Sequence, residues 1–282
     1  MRNNFLSSRP AMGDLLRGTV LTAMVFIVLF PLAITIFASL KTPMELGSLS
    51  PLTPPPSFSA DNYIKVLKLG GIFRSFINTL ILVVVSLLAN TFLASSVAYC
   101  LNRFDFKLKK LIFFVFLMGM IVPTHITEIS RFGIIKTLGL FNTRGAAILI
   151  YAGADMMQVY VYLQFMKQIP LSLDESASID GLPLPLVYWK IILPLQIPAM
   201  ATLGILKMVD IMNDMYIPFL YMPSTKLKTL TTNLMAAFAH PQLGMWNNLS
   251  AAIIVVMLPV TILYLVFQKQ VMRGIMSGAV KG

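Results

Sequence analysis

Long apolar runs separated by short polar segments dominate the chain. The first run, residues 18–40, has 23 positions without Asp, Glu, Lys or Arg, enough for a membrane-spanning helix of about 20 residues. It is longer than the core of a cleaved signal peptide, so we expect it to be retained. Such runs predict six spanning helices, at about residues 18–40, 75–101, 111–126, 146–166, 191–212 and 249–268. Because lipid offers no partners to open backbone groups, we expect an all-α, polytopic membrane protein that forms a single domain over residues 1–282.

The composition agrees with a membrane protein. Hydrophobic residues make up 57% of the chain and charged residues 12%, whereas about a quarter of the residues in a soluble domain are charged. So few polar side chains could not cover the surface of a soluble enzyme of this length. Cys100, the single cysteine, cannot form an internal disulfide and is expected to be a small packing residue.

The net charge of +11 indicates an orientation in the membrane. A nucleic-acid partner is not expected, because no basic cluster has interleaved aromatic residues. Six spans place both termini on one side, and the segments on that side hold 12 Lys and Arg residues against 9 in the longer segments on the other side. Positive residues collect on the cytoplasmic side. We therefore expect both termini in the cytoplasm, with the cluster from Arg103 to Lys110 as the cleanest indicator.

The connection between the fourth and fifth predicted spans is patterned and amphipathic, unlike a simple polar loop. Asp174 and Glu175 lie near the start of a short predicted helix, where negative charge suits the helix dipole. Gly181 ends this helix, as glycine commonly does, and Pro183 suits the first turn of a second helix. The pattern predicts two short helices joined at a glycine. We call this segment, residues 170–190, the elbow, and expect it on the cytoplasmic membrane face.

The elbow resembles a motif of the membrane subunits of bacterial ABC importers. Glu175, Ser176 and Ala177 are followed by Gly181 and, after nine residues, by Ile191–Pro194, which is similar to the EAA pattern E-A-A-x-x-x-G-x9-I-x-L-P. Ser176 replaces the first alanine of that pattern. The chain resembles the carbohydrate branch, close to the maltose-type second permease subunit, over nearly its whole length. Further similar positions are Asn62–Ile64, Asn78–Thr79, Ala98–Tyr99, Ile121–Pro123, Leu138–Leu140, Asn142–Thr143, Asn213–Asp214 and Gly278–Gly282.

The resemblance implies the ABC type I importer permease fold, in which the elbow is a coupling helix that docks on a separate ATPase. Residues implied to couple to the ATPase are Asp174, Glu175, Ser176, Ala177, Asp180, Gly181, Ile191, Leu193 and Pro194. A helix resting on lipid headgroups is the alternative, but the acidic residues would then face anionic lipid.

The same resemblance implies the partners and the location. The partners are a second, different permease subunit, two ATPase subunits and an extracytoplasmic solute-binding protein, in the bacterial cytoplasmic membrane. No cofactor is expected in this chain, because ATP and Mg²⁺ would bind to the ATPase subunits. The sequence agrees, since it has no G-x-x-x-x-G-K-[ST] loop to cradle phosphates.

Polar residues within the fourth and fifth spans are candidates for a solute pathway, because ionisable groups in spans usually face the bundle interior or a cavity. Asp155 lies about 18 Å along the helix from Lys167. The candidates, which share helix faces within each span, are Asp155, Gln158, Tyr162, Lys207, Asp210, Asn213 and Asp214. They either line a hydrophilic pathway, for example for a sugar, or neutralise one another and hold helices together.

The sequence thus indicates a membrane subunit, not an enzyme, of a binding-protein-dependent ABC importer for a sugar or oligosaccharide. The alternatives are an importer of glycerol phosphate, an acidic sugar or a polyamine, and an ion-driven secondary transporter that uses Asp155 and Asp210.

Two local features each have two interpretations. Pro194 and Pro198 form either a bend that transmits motion or a packing kink. Residues 229–248 either reach towards the binding protein or pack on their own chain.

Overall fold

The computed structural model describes residues 12–123, 126–153 and 156–279 and contains, within these ranges, helices and turns but no strands. The described residues therefore confirm the predicted all-α class. They fall into two compact units, one from Met1–Gly70 and Ala236–Val255, the other from Gly71–Met235 and Val256–Gly282. The α-helices are α1 (Met12–Leu40), α2 (Pro43–Ser48), α3 (Asp61–Leu69), α4 (Ile72–Arg103), α5 (Lys109–Ile121), α6 (Glu128–Thr137), α7 (Arg144–Ala152), α8 (Met156–Met166), α9 (Ser172–Ile179), α10 (Leu184–Val187), α11 (Leu193–Leu195), α12 (Ile197–Asn213), α13 (Tyr216–Tyr221), α14 (Leu230–Phe238) and α15 (Trp246–Ala279).

Helices long and apolar enough to cross a membrane occur at three places in the described residues. They are Leu16–Leu40, Ile72–Arg103 and Trp246–Lys269. Two bent pairs reach that length together: Arg144–Ala152 with Met157–Met166, bent by 48°, and Leu184–Leu195 with Ile197–Asn213, bent by 73°. The described residues therefore contain three candidate spans, or five if each bent pair counts as one. All five coincide with segments that the sequence predicted to span.

The remaining predicted span, residues 111–126, corresponds to α5, which is 13 residues long. Such a helix is about 20 Å long, shorter than the hydrocarbon core of about 30 Å. It ends at Ile121 because Pro123 follows: the residue before a proline favours an extended backbone, and Val122 has φ −75° and ψ 118°. The number of six spans stays a prediction.

In the first unit, a buried asparagine closes the end of α1. The Asn62 side chain donates to the backbone oxygens of Ser39, at 2.8 Å, and Lys41, at 2.9 Å. Its own oxygen accepts a hydrogen bond of 2.8 Å from the side chain of Asn247, at the start of α15. The carbonyl groups at a helix end need such partners. Asn62 therefore fixes α1 to α3 and to α15.

In the second unit, α4 is the central helix and packs against α7, α8 and α12. Many of its buried positions carry small or polar side chains: Ser75, Asn78, Thr79, Ser86, Asn90, Ala94, Ser95 and Ala98. Large apolar side chains such as Leu80, Val84 and Leu88 are exposed on its other face. Small side chains let helices approach closely within a bilayer. The stripe on α4 therefore explains why three helices surround it.

The fourth predicted span is broken between α7 and α8, and Asn90 of α4 binds to the broken end. The Asn90 side chain donates to the backbone oxygens of Tyr151, at 3.3 Å, and Gly153, at 2.9 Å. These carbonyl groups lie where the regular helical hydrogen bonds stop. Within lipid an unsatisfied carbonyl is costly. The asparagine side chain therefore makes this break possible.

We predict that Asn90→Ala lowers the free energy of unfolding by about 1–3 kcal/mol, because the carbonyl groups of the buried Tyr151 and the exposed Gly153 lose their donor. The measurement is the thermal unfolding midpoint of the purified protein in detergent. Leu88→Ala, on the exposed face of the same helix, is the matched control and should change the midpoint little. Equal midpoints for both variants would contradict this role of Asn90.

Candidate functional site

The elbow consists of two short helices joined by a tight turn. α9 (Ser172–Ile179) ends in a turn in which the amide of Gly181 donates to the Ser178 oxygen at 3.1 Å. The amide of Leu182 donates to the Ala177 oxygen at 3.0 Å. This hydrogen-bond pair is the Schellman motif, which requires a left-handed residue after the helix. Gly181 supplies it with φ +81°.

The second helix of the elbow continues into the fifth predicted span. α10 (Leu184–Val187) leads through a π-helical turn, Tyr188–Ile192, into α11 (Leu193–Leu195). The 73° bend then separates α11 from α12. Pro194 and Pro198 flank this bend, and each removes a backbone donor from the helix. The prolines therefore account for the bend.

The inner face of the elbow is an apolar contact with its own chain. Ala177 of α9 and Val187, Tyr188 and Ile192 of the second helix form one buried cluster with side chains of α4 and α8, namely Tyr99 and Met166. Ile191 and Leu193 pack against this cluster while partly exposed. The small side chain of Ala177, only 4% exposed, allows α9 to lie close to the bundle. Both helices of the elbow are therefore held against the end of α4.

A buried ion pair adds to this contact. A guanidinium nitrogen of Arg103, the last residue of α4, lies 3.0 Å from a carboxylate oxygen of Asp174. The same nitrogen donates to the backbone oxygen of Ile169 at 3.0 Å. The two side chains are only 7% and 11% exposed. Asp174 therefore faces its own bundle, and no local sequence pattern indicated its pairing with a residue so distant in the chain.

A second polar attachment lies along α4, at the other helix of the elbow. The Tyr188 hydroxyl is 2.7 Å from the Ser95 hydroxyl and accepts a hydrogen bond of 3.1 Å from Ser96. Beside it, Trp189 stacks on Phe92 with ring centroids 5.4 Å apart. Sequence reasoning missed these contacts, because the serines look like ordinary small residues of a span.

The outer face of α9 is free of contacts that would bury it within this chain. Glu175, Ser176 and Asp180 are exposed, and Ile179 is 85% exposed. Pro194, just after the elbow, is also exposed. The outer face thus presents two carboxylates and an exposed apolar side chain.

The predicted pathway residues that the structure describes lie on α8 and on or just after α12. Asp155 lies outside the described residues. Tyr162 of α8 is 1% exposed and packs in an apolar cluster with residues of α4 and α12. Gln158, on the same helix, is also buried. On α12, Lys207 is half-buried, whereas Asp210 and Asn213 are exposed.

Asp214 has a structural role at the end of α12. One of its carboxylate oxygens accepts a hydrogen bond of 2.7 Å from the Tyr151 hydroxyl of α7. The other accepts one of 2.7 Å from the backbone amide of Tyr216, at the start of α13. Asp214 therefore holds α7, α12 and α13 together.

A cleft of about 490 Å³ lies between α4, α12 and α15. Side chains such as Val83, Leu87, Met208 and Ile262 line it, and Thr79 is its one polar side chain. A sugar needs several hydrogen-bonding groups around it. This cleft is therefore unsuited to a polar solute.

Residues 90–277 match the protein family described as binding-protein-dependent transport system inner membrane component. The chain is 33% identical over 254 residues to a probable starch degradation products transport permease, AmyC, of Thermoanaerobacterium thermosulfurigenes, covering 89% of this chain and 91% of the relative. It is 33% identical over 230 residues to the melibiose/raffinose/stachyose import permease MelC of Bacillus subtilis, covering 81% and 83% of the two chains.

Solved structures show the same fold. A chain of a bacterial ABC transporter involved in the import of alginate, an acidic polysaccharide, superposes with a TM-score of 0.83 at 19% identity. The match covers 95% of this chain and 99% of that one. A second structure, of an alginate transporter in complex with an alginate-bound periplasmic protein, gives a TM-score of 0.61. At this identity the likeness establishes the fold alone.

We predict that Gly181→Ala destabilises the elbow by about 1–2 kcal/mol, because the left-handed conformation is costly for a residue with a side chain. Space is not the reason, since nothing lies within 4 Å of an added Cβ atom. Gly181→Asn should be tolerated better, because asparagine visits this conformation more readily. The measurement is the rate of protease cleavage within the elbow of the purified protein.

Gly119→Ala provides the matched control, because Gly119 lies within α5 and an added Cβ atom there also meets open space. It should leave the cleavage rate unchanged. Indistinguishable rates for the alanine and asparagine variants of Gly181 and the wild type would contradict a conformational requirement for glycine.

Proposed function

Because the chain belongs to the family of binding-protein-dependent transport system inner membrane components, we propose that it forms half of the translocation pathway of an ABC importer for a sugar or oligosaccharide. As a member of this family it is a multi-pass protein of the bacterial inner membrane and a transport subunit. The predicted membership of the ABC importer permeases is thereby confirmed. Its assignment to the maltose-type branch within them stays a prediction.

The names of the relatives support a carbohydrate as the solute. They include permeases for starch degradation products, for melibiose, raffinose and stachyose, for diacetylchitobiose and for arabinooligosaccharides. Each of these names specifies a sugar or a carbohydrate product as the solute. We therefore propose a short oligosaccharide, delivered by an extracytoplasmic solute-binding protein.

For the membrane arrangement we propose six spans with both termini in the cytoplasm. Three long helices and two bent pairs support five of the spans. α5, with residues after Pro123, would supply the sixth, although α5 alone is 13 residues long. The basic cluster from Arg103 to Lys110 supports the orientation, because it follows the end of α4 and would lie on the cytoplasmic side.

For energy coupling we propose that the outer face of α9 docks on one of two ATPase subunits. Glu175, Ser176 and Asp180 are exposed there, whereas Asp174 and Ala177 are buried against the chain's own bundle. The coupling set implied by the motif thus divides into an outward group that contacts the ATPase and an inward group that attaches the elbow. Gly181 sets the turn between the two elbow helices, and Pro194 contributes to the bend that follows.

The transport cycle then follows from a difference in binding energy. ATP and Mg²⁺ are held by the ATPase subunits, which close together when ATP binds. The closed ATPases bind one orientation of the elbow better than the other, and only such a difference can shift the conformational equilibrium. The elbow and the spans attached to it rock, so that the pathway between this chain and a second, different permease subunit opens to the other side.

Within the pathway, the exposed Asp210 and Asn213 of α12 are the best candidates for contact with the solute. A carboxylate and an amide accept hydrogen bonds from sugar hydroxyl groups. Tyr162, buried among apolar side chains, supports the packing of α8 instead. The partner permease would complete the site.

The observation that carries the coupling proposal is the exposed carboxylate of Glu175 on a helix that is attached to the bundle through its opposite face. We predict that Glu175→Lys reduces solute uptake by more than about tenfold, because like or mismatched charges at an interface cost several kcal/mol. The measurement is uptake into proteoliposomes that contain the complete importer, together with the amount of this subunit in the membrane.

Asp105→Lys is the matched control, because Asp105 is an exposed carboxylate outside α9, with a side chain 99% exposed. Reversing the charge of Asp105 should leave uptake within a factor of about two of the wild-type value, as expected for a surface substitution. Normal uptake by the Glu175→Lys importer would refute the docking of α9 on an ATPase.

The solute is tested by its own experiment. We predict that uptake requires ATP, the ATPases and the binding protein. Among competing solutes, we expect oligosaccharides of two to about five units to inhibit uptake most, since pockets discriminate through buried hydrogen bonds. The panel of competing solutes also includes glycerol phosphate, an acidic sugar and a polyamine. Uptake of one of these instead of a neutral glycan would overturn the solute assignment. Uptake by the purified chain alone, driven by an ion gradient, would overturn the importer assignment.

A further inference from the structure

We propose that Arg103 is a positioning residue of the importer: it fixes the coupling helix α9 to the end of α4, so that both move as one body. The proposal rests on the coupling role of α9 proposed above and names the group through which the docking force reaches the bundle.

The geometry makes Arg103 a three-way connection. One guanidinium nitrogen lies 3.0 Å from the Asp174 carboxylate and donates to the Ile169 oxygen at 3.0 Å. The other terminal nitrogen donates to the side-chain oxygen of Asn102 at 3.0 Å. The planar guanidinium suits such simultaneous contacts, whereas a lysine ammonium is a point charge with less directional reach. Arg103 thus binds both α9 and the segment that leads into it.

α9 depends on such attachments for its orientation. It is eight residues long, too short for a helix to be stable in water by itself. Its apolar attachment is small, because Ala177 is the hydrophobic residue of α9 that is buried. A buried ion pair contributes little net stability compared with apolar packing, but it fixes a geometry. Asp174 therefore orients α9 more than it stabilises the fold.

The ion pair lies on the buried side of α9, and the docking surface lies on its exposed side. Asp174 is buried and its neighbour Glu175 is exposed, because successive residues point about 100° apart around a helix. A force on Glu175 therefore reaches the end of α4 through the neighbouring Asp174 and its contact with Arg103. The second attachment, from Tyr188 to Ser95, lies about 12 Å further along α4. Two separate points on one helix prevent the elbow from pivoting.

α4 can transmit a displacement of its end to the bundle, because it packs against α7, α8 and α12. Movement of its end is transmitted to these three helices through close packing rather than through a flexible loop. Loss of the Arg103 contact would let α9 turn on the ATPase without moving α4. The expected defect is therefore uncoupling rather than loss of assembly.

A basic residue at this position also has a simpler explanation, since Lys and Arg residues at span ends set orientation in the membrane. Lys109 separates the two explanations. It belongs to the same basic cluster, and its ion pair with Asp105 is exposed, where the hydrogen bond from Lys109 holds the pKa of the Asp105 carboxyl below its usual value. Lys109→Gln removes the same charge without touching α9.

The test uses the complete importer, with its ATPases and binding protein, in proteoliposomes. The variants are Arg103→Gln, Arg103→Lys, the charge swap Arg103→Asp with Asp174→Arg, Lys109→Gln as the matched control, and Glu175→Lys. The first readout is solute transported per ATP hydrolysed. The second is the distance distribution between two spin labels. One is on Cys100, the single cysteine, which is exposed rather than packed as the sequence predicted. The other is on a cysteine introduced at Ser172, an exposed residue at the start of α9.

We expect Arg103→Gln to assemble with the ATPases but to transport about tenfold less solute per ATP, within the range of known coupling mutations. Its label distances should broaden, since α9 loses its fixed orientation. Arg103→Lys should lie between this variant and the wild type, and the charge swap should recover part of the loss. Lys109→Gln should match the wild type in both readouts.

Wild-type coupling and wild-type distances in Arg103→Gln would overturn the proposal. So would an Arg103→Gln variant that fails to assemble and is not rescued by the charge swap, because Arg103 would then serve folding alone. If Glu175→Lys uncouples transport and Arg103→Gln does not, this inference fails while the coupling function stands. If neither variant changes transport, the coupling function of α9 fails as well.

Discussion

The lipid core offers no hydrogen-bond partners, and the rest of this structure depends on that constraint. Where a spanning helix is interrupted, a side chain can replace the lost backbone partner. Asn90 supplies two donors where the fourth predicted span is broken, and Asn62 does the same at the end of α1. Both asparagines are buried. The irregular backbone at these two helix ends is therefore hydrogen-bonded by polar side chains of neighbouring helices.

The same constraint explains why α4 organises the second unit. Apolar side chains gain little from one another within lipid, so close packing and buried polar contacts decide which helices associate. The small and polar stripe of α4 meets α7, α8 and α12 and continues to Ser95, which binds Tyr188 of the elbow. Arg103 adds the ion pair at its end. The helix that holds the bundle together is thus also the helix to which the elbow is attached.

Much of the elbow could be predicted from sequence because its determinants are local. Gly181 indicated the turn, and it has the positive φ that a Schellman motif requires. Asp174 and Glu175 indicated a helix start, and the resemblance to the EAA motif implied that both contact the ATPase. In the structure Asp174 is buried and Glu175 is exposed. Asp174 pairs with Arg103, which lies far away in the chain. A local pattern therefore could not indicate which side of α9 faces the bundle.

The sequence by itself determined the membrane class, the approximate positions of the apolar segments and the family, because bilayer thickness fixes helix length and the EAA motif is a local pattern. Tertiary structure alone decided where the spans bend, that Tyr162 packs among apolar side chains, and that Asp214 binds Tyr151 rather than a cation of its own helix face. These outcomes depend on which helices become neighbours. Neighbours are selected by packing between distant segments, and helical periodicity carries no information about that choice.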